Sequence, residues 1–68
     1  MPVDYPGAAE RYETLIKQND LNAHYQLAKM HIDGLGVETD YDRAKTLLKM
    51  AARKGHEPSI KLAAEYGW

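Results

Sequence analysis

Gly34-Leu35-Gly36-Val37-Glu38-Thr39-Asp40 is the stretch on which the reading of this chain turns, because helical patterns lie on both sides of it. Gly34 closes the helix before it, since the residue just past a helix end commonly takes a left-handed conformation that glycine adopts without a Cβ penalty. Asp40 opens the next helix: its carboxylate can accept a hydrogen bond from a free N–H of the first turn, at the positive end of the helix dipole. Val37, the one strongly apolar β-branched residue of the loop, is expected to turn inward and pin it to the helices. Two ligand-binding readings fit poorly. The loop follows a helix rather than a strand, has no third glycine and no P-loop lysine, so it is not a phosphate cradle. Asp33, Glu38, Asp40 and Asp42 do not follow the spacing of a calcium loop. The stretch is therefore a structural loop inside a helical hairpin, with half of another hairpin on either side.

Upstream, Asp4 is a cap candidate and Pro6 falls in a first turn, where its missing N–H is harmless. Ala8, Tyr12, Leu15 and Ile16 then follow one helical face, and a first helix is predicted over about 5–18. Asn19 reads as a left-handed stop and Asp20 as the next cap. The second helix is predicted over 21–33, with Ala23, Leu27, Met30 and His31 at helical spacing. The third, over 41–54, carries Ala44, Leu47, Leu48, Ala51 and Ala52 on one stripe and ends on Arg53, Lys54 and the stop Gly55. Pro58 suits the first turn of a fourth helix over 58–66, holding Ser59, Ile60, Leu62, Ala63, Ala64 and Tyr66.

Composition agrees. Nine alanines and seven leucines with no phenylalanine favour helix throughout. The 68 residues allow one small domain, 1–68, without a cysteine to staple it or bind metal as thiolate. There is no leader-like segment at the N-terminus and no run approaching ~20 apolar residues, so a soluble, cytoplasmic protein is expected, with no membrane partner. Nine Lys and Arg against ten Asp and Glu give a formal charge of −1, which offers no overall field for nucleic acid.

Laid on itself with a shift of 36 residues, the chain sets Asp4 on Asp40, Tyr5 on Tyr41, Ala8 on Ala44, Tyr12 on Leu48, and Ser59 and Ala63 on Ala23 and Leu27. Caps and apolar phase repeat more than identities do, which is what stacked hairpins require. One complete repeat covers about 21–56. At Ala23, Leu27, Ala28, Gly34, Gly36, Val37, Asp40, Tyr41, Ala44, Leu47, Leu48, Ala51, Ala52 and Gly55 the chain resembles the Sel1-like repeat, a relative of the tetratricopeptide repeat. Two positions depart from that pattern, His31 where tyrosine is usual and Ala28 in place of a glycine. The resemblance implies an all-α fold, a short solenoid of four antiparallel helices. It also implies an adaptor or scaffold that binds protein or peptide on its concave face, with no catalytic residues. Solenoids generally need about three repeats, so self-association as a homodimer, or a partner that completes the stack, is expected.

Other chemistry finds little support. His24 and His31 stand roughly 10 Å apart along a helix axis, with no acidic partner at metal-ligand spacing, so half-buried structural roles are expected. Ser59 occupies a first helical turn, where serine is ordinary, and no nucleophile elbow is present. The joint of about seven residues is longer than in a helix-turn-helix, and Arg43, Lys45, Lys49, Arg53 and Lys54 interleave with Asp42 and an apolar stripe, as on a solvated face. No enzyme activity, cofactor or metal is expected.

Helical angle places a binding surface. Opposite Ala23, Leu27 and Met30 the second helix carries Tyr25, Lys29 and Ile32, with Asn22 at the edge. Thirty-six residues on stand Lys61, Glu65 and Trp68. First helices of successive hairpins line the inner surface of a solenoid, so these residues form a candidate groove for a peptide or helix; the alternative is that Ile32 and Trp68 pack between helices. Ile60 and Leu62 replace His24 and Gln26, widening the apolar face of the fourth helix as a contact for another copy or a partner. The expected function is a protein–protein interaction module, a small adaptor or an inhibitor that blocks a partner. The alternatives are a self-assembling structural repeat and a nucleic-acid or small-ligand binder.

Overall fold

Three aspartates place three helix starts. The carboxylates of Asp4, Asp20 and Asp40 each accept a hydrogen bond from the N–H three residues on, those of Gly7, Ala23 and Arg43, all at 3.0 Å. Each fills one of the donors that a helix start leaves free. The computed structural model describes residues 4–68, so residues 1–3 of the expected domain lie outside it. It contains α1 (Tyr5–Lys17), α2 (Leu21–Asp33), α3 (Tyr41–Arg53) and α4 (Glu57–Glu65), and no strand among the described residues. The fold is all-α, a short solenoid of antiparallel helices.

All four helices stop in the same way. Asn19, Gly34, Gly55 and Gly67 take positive φ of 62°, 68°, 85° and 73°. The N–H of each following residue then reaches back over the last turn, from Asp20 to Leu15, Leu35 to Met30, His56 to Ala51 and Trp68 to Ala63, at 2.8–3.1 Å. This turn satisfies carbonyls that a helix end leaves open. Two of those following residues, Asp20 and His56, also open the next helix. The α1–α2 and α3–α4 joints are thus the same three-residue device, at 18–20 and at 54–56.

The 36-residue repeat holds in the backbone. Displaced by 36, Tyr5–Lys17 becomes Tyr41–Arg53, and α2 and α4 begin 36 apart, at Leu21 and Glu57. The copies part at the C-terminus. The counterpart of Asp33 would be position 69, yet α4 ends at Glu65 because Gly67 turns the chain where α2 has His31.

The core lies between α2 and α3, where Leu27, Ala28, Ala44, Leu48 and Ala51 have no exposed surface. Alanine at these crossings lets the helices approach closely, while each buried leucine contributes about 1.5–3 kcal/mol by leaving water. Ala9 and Ala63 bring α1 and α4 onto this centre from either side. The radius of gyration, 11.3 Å, is close to the ~11 Å of a compact chain of this length.

Residues 34–40 tie both halves together. The Asp40 N–H donates to the His31 carbonyl at 2.9 Å, and His31 Nδ1–H donates to the Glu38 carbonyl at 3.1 Å. Val37 is half-buried and packs on the core. Gly36 crosses the start of α1 so closely that a Cβ there would lie 2.7 Å from the Pro6 nitrogen and against the Tyr5 carbonyl. None of the described helices is long and apolar enough to cross a membrane.

Candidate interaction surface

Tyr25 projects from α2 toward the start of α4, where its half-buried ring meets that of His56 at 5.9 Å between centroids, tilted by 59°. Lys29 stands one turn on, its Nζ 5.3 Å from the Tyr25 centroid, a cation–π contact worth about 0.5–1 kcal/mol at an exposed site. The ring of His56 is held from below: Nδ1 shares a 2.7 Å hydrogen bond with the hydroxyl of Ser59, which is itself fully buried. Lys29 is exposed, as are Asn22 on α2 and Lys61 and Glu65 on α4.

The remaining members of the expected groove are placed differently. Ile32 is half-buried against the core and contributes packing there. Trp68 does not continue the face of Lys61 and Glu65, because α4 ends before it; it follows the left-handed Gly67, packs on the core and stacks on Tyr66 at 4.8 Å. Ile60 is 39% exposed, whereas Leu62 is half-buried against the core.

A second concavity was not anticipated from the sequence. Between α1 and α2 lies a groove of about 270 Å³, where Tyr5, Ala8 and Tyr12 face Lys29 and Met30 and Leu35 closes one end. Helical spacing set Ala8, Tyr12 and Met30 on apolar faces; Met30 belongs to the core and Ala8 and Tyr12 pack against it, while all three also line the groove.

The histidines serve the backbone. His24 is buried and its Nδ1–H donates to the Asp20 carbonyl at 2.7 Å; His31 secures the loop and His56 the start of α4. Among the described residues no three His, Asp or Glu side chains gather as a metal site. The ion pair Arg43–Glu13, 2.9 Å, links α3 to α1; with both side chains over 40% exposed, it adds at most ~1 kcal/mol.

No curated protein and no solved structure matches the chain. The family model of the Sel1 repeat matches residues 21–56, just over half of it. That span is the α2–loop–α3 hairpin with the joint that leads into α4, the one complete repeat in the fold, and the chain belongs to the Sel1 repeat family.

Proposed function

We propose that this chain binds a segment of another protein along the surface made by α2 and the start of α4, with Tyr25 as its anchor. Sel1 repeats generally mediate protein–protein interaction and are generally non-enzymatic scaffolds. The observation that carries the reading here is the Tyr25 platform: a ring seated on His56 and flanked by Lys29, on the two helices that also expose Asn22, Lys61 and Glu65. Interfaces concentrate their energy in such centres, a desolvated aromatic inside a polar rim. Mixed charge at the rim suits a polypeptide better than the uniform phosphates of nucleic acid. Through this footprint the chain acts as an adaptor that tethers a partner or as an inhibitor that covers it.

The test compares Tyr25→Ala with Tyr41→Ala, a control 55% exposed at the start of α3. Proteins retained by the wild-type chain are identified by mass spectrometry, produced pure and titrated against each variant. Loss of an aromatic anchor is expected to weaken binding by about 2 kcal/mol, roughly 30-fold, with Tyr41→Ala unchanged. Equal affinity for wild type and Tyr25→Ala, with the helical signal intact, would refute the reading.

A further inference from the structure

We propose that copies of this chain associate head to tail, the open face of α4 in one copy packing on the open face of α1 in the next, so that the joint rebuilds the α2–α3 interface. The 36-residue register supplies the argument. On α3 the residues Ala44, Leu47, Leu48 and Ala51 are at most 2% exposed. Their counterparts on α1 are Ala8, Arg11, Tyr12 and Leu15, of which Arg11 is exposed and the others only half-buried. On α2, His24, Ala28 and Met30 are 3%, 0% and 7% exposed. Their counterparts Ile60, Ala64 and Tyr66 are all exposed, Ile60 at 39% and Tyr66 at 45%. Positions that face the preceding helix behave alike in both copies: Ala23 and Leu27 are buried, and so are Ser59 and Ala63. Thus, among the described residues, α1 packs chiefly on α2 and α4 chiefly on α3, and the face of each that corresponds to the α2–α3 contact is open. Each leaves open one half of an interface that the chain already makes once, between α2 and α3.

The details of the two faces fit. The groove between α1 and α2 leaves Ala8 and Tyr12 accessible, and Tyr66, the counterpart of Met30, is exposed on α4. Helices α2 and α3 are 13 residues each, and the loop returns the chain beside the end of α2. The same antiparallel register puts Glu57 beside Lys17 and Glu65 within a turn of Arg11, so opposite charges meet at both ends of the apolar strip. Arg11 in the place of Leu47 is the one charge inside the strip, and Glu65 is its counterion. The two faces differ from each other, so the contact is heterologous and adding a copy leaves a free face at either end. Tyr25 lies outside the joint, so Tyr25→Ala separates partner binding from assembly, whereas Lys29 and Glu65 border both surfaces.

The experiment uses the full chain, light scattering behind a sizing column, and two variants at exposed positions, Arg11→Glu on the head and Ile60→Glu on the tail. Helical circular dichroism checks their folding, and Ala64→Arg, also at an exposed position, replaces Ile60→Glu if that variant loses helix. For the wild type, molar mass is expected to rise with concentration past that of a dimer. Each variant alone is expected to stay monomeric, and an equimolar mixture to form a 1:1 dimer and stop there, because it holds one good head and one good tail. A wild type monomeric from micromolar to millimolar concentration, a mass that levels off at a dimer, or variants that fail to combine would each overturn the proposal.

Discussion

Replacing Gly36 by alanine tests whether the loop or the helices decide where α1 docks. Gly36 has φ 74° and Gly55 has φ 85°, so alanine at either site meets the left-handed penalty, about 1–2 kcal/mol. Part of it, about 0.4–1 kcal/mol, is offset because alanine restricts the unfolded chain. The sites then diverge. Beside Gly55 nothing lies within 4 Å of an added Cβ, whereas at Gly36 the Cβ would lie 2.7 Å from the Pro6 nitrogen and against the Tyr5 carbonyl. Those atoms are backbone at the start of a helix, so no side chain can swing aside. Relief requires the whole of α1 to shift, which by analogy with overpacking costs about 1–3 kcal/mol more. Gly55→Ala is expected to lose roughly 1 kcal/mol, and Gly36→Ala about 2–4 kcal/mol.

The assay is urea unfolding followed by helical circular dichroism, with both variants beside the wild type. A domain of this length is stable by about 3–10 kcal/mol, so the Gly36 loss is a large share of the total. With a slope near 1 kcal/mol/M, the midpoint of Gly36→Ala should fall below that of Gly55→Ala by about 1 M or more. A shallower slope for Gly36→Ala alone would show α1 leaving ahead of the remainder, which the close approach also implies. Equal midpoints for the two variants would refute the reasoning, since left-handed strain would then be the entire effect.

Three further substitutions read the core, the groove and the start of α4. Leu48→Ala empties a site with no exposed surface and is expected to lose about 2–5 kcal/mol, while Leu35→Ala, 37% exposed at the end of the groove, should lose under about 1 kcal/mol; the same urea titration measures both. Ser59→Ala removes the hydroxyl that holds His56 and is expected to lose about 0.5–1.5 kcal/mol. The His56 ring resonances should lose their Tyr25 ring-current shift in the same variant, and an unchanged NMR spectrum would show that packing alone holds the ring.

What was legible in the sequence was local. An aspartate caps the N–H three residues ahead of it, and a glycine or asparagine past a helix end takes positive φ, so Asp4, Asn19, Asp20, Gly34, Asp40 and Gly55 could each be placed from their neighbours alone. Inward packing of Val37 followed from its contrast with a polar loop. Of the two readings open for Trp68, packing against the helices is the one seen, because helical angle cannot be carried through Gly67, which ends the helix before it. The groove beside Tyr12 was missed. Tyr12 and Leu48 occupy the same phase on equivalent helices, and Leu48 is fully buried because α3 lies between α2 and α4, whereas α1 packs chiefly on α2 and leaves Tyr12 half-buried. Periodicity reports which face of a helix is apolar and does not report whether another helix covers it.

The same distinction explains where the two copies of the repeat differ. Caps and alanine crossings recur because both copies stack helices in the same way: Asp4 with Asp40, Ala8 with Ala44. Departures fall where the surroundings differ. Arg11 stands for Leu47, Ile60 for His24 and Tyr66 for Met30, all at faces that lack the neighbour their counterparts have. His56 stands for Asp20, and here the change has a mechanical reading. An aspartate at 56 would cap α4 directly, as Asp20 caps α2, but would present no ring to Tyr25. With histidine, Ser59 secures the imidazole instead of a carboxylate securing the backbone. α4 then gives up a side-chain bond to its first turn, a feature worth about 0.5–2 kcal/mol, and the inner surface gains the base of its aromatic platform. A residue that forgoes a good cap and seats the half-buried Tyr25 ring is what the proposed Tyr25 surface calls for, whereas helix stability alone would favour aspartate there.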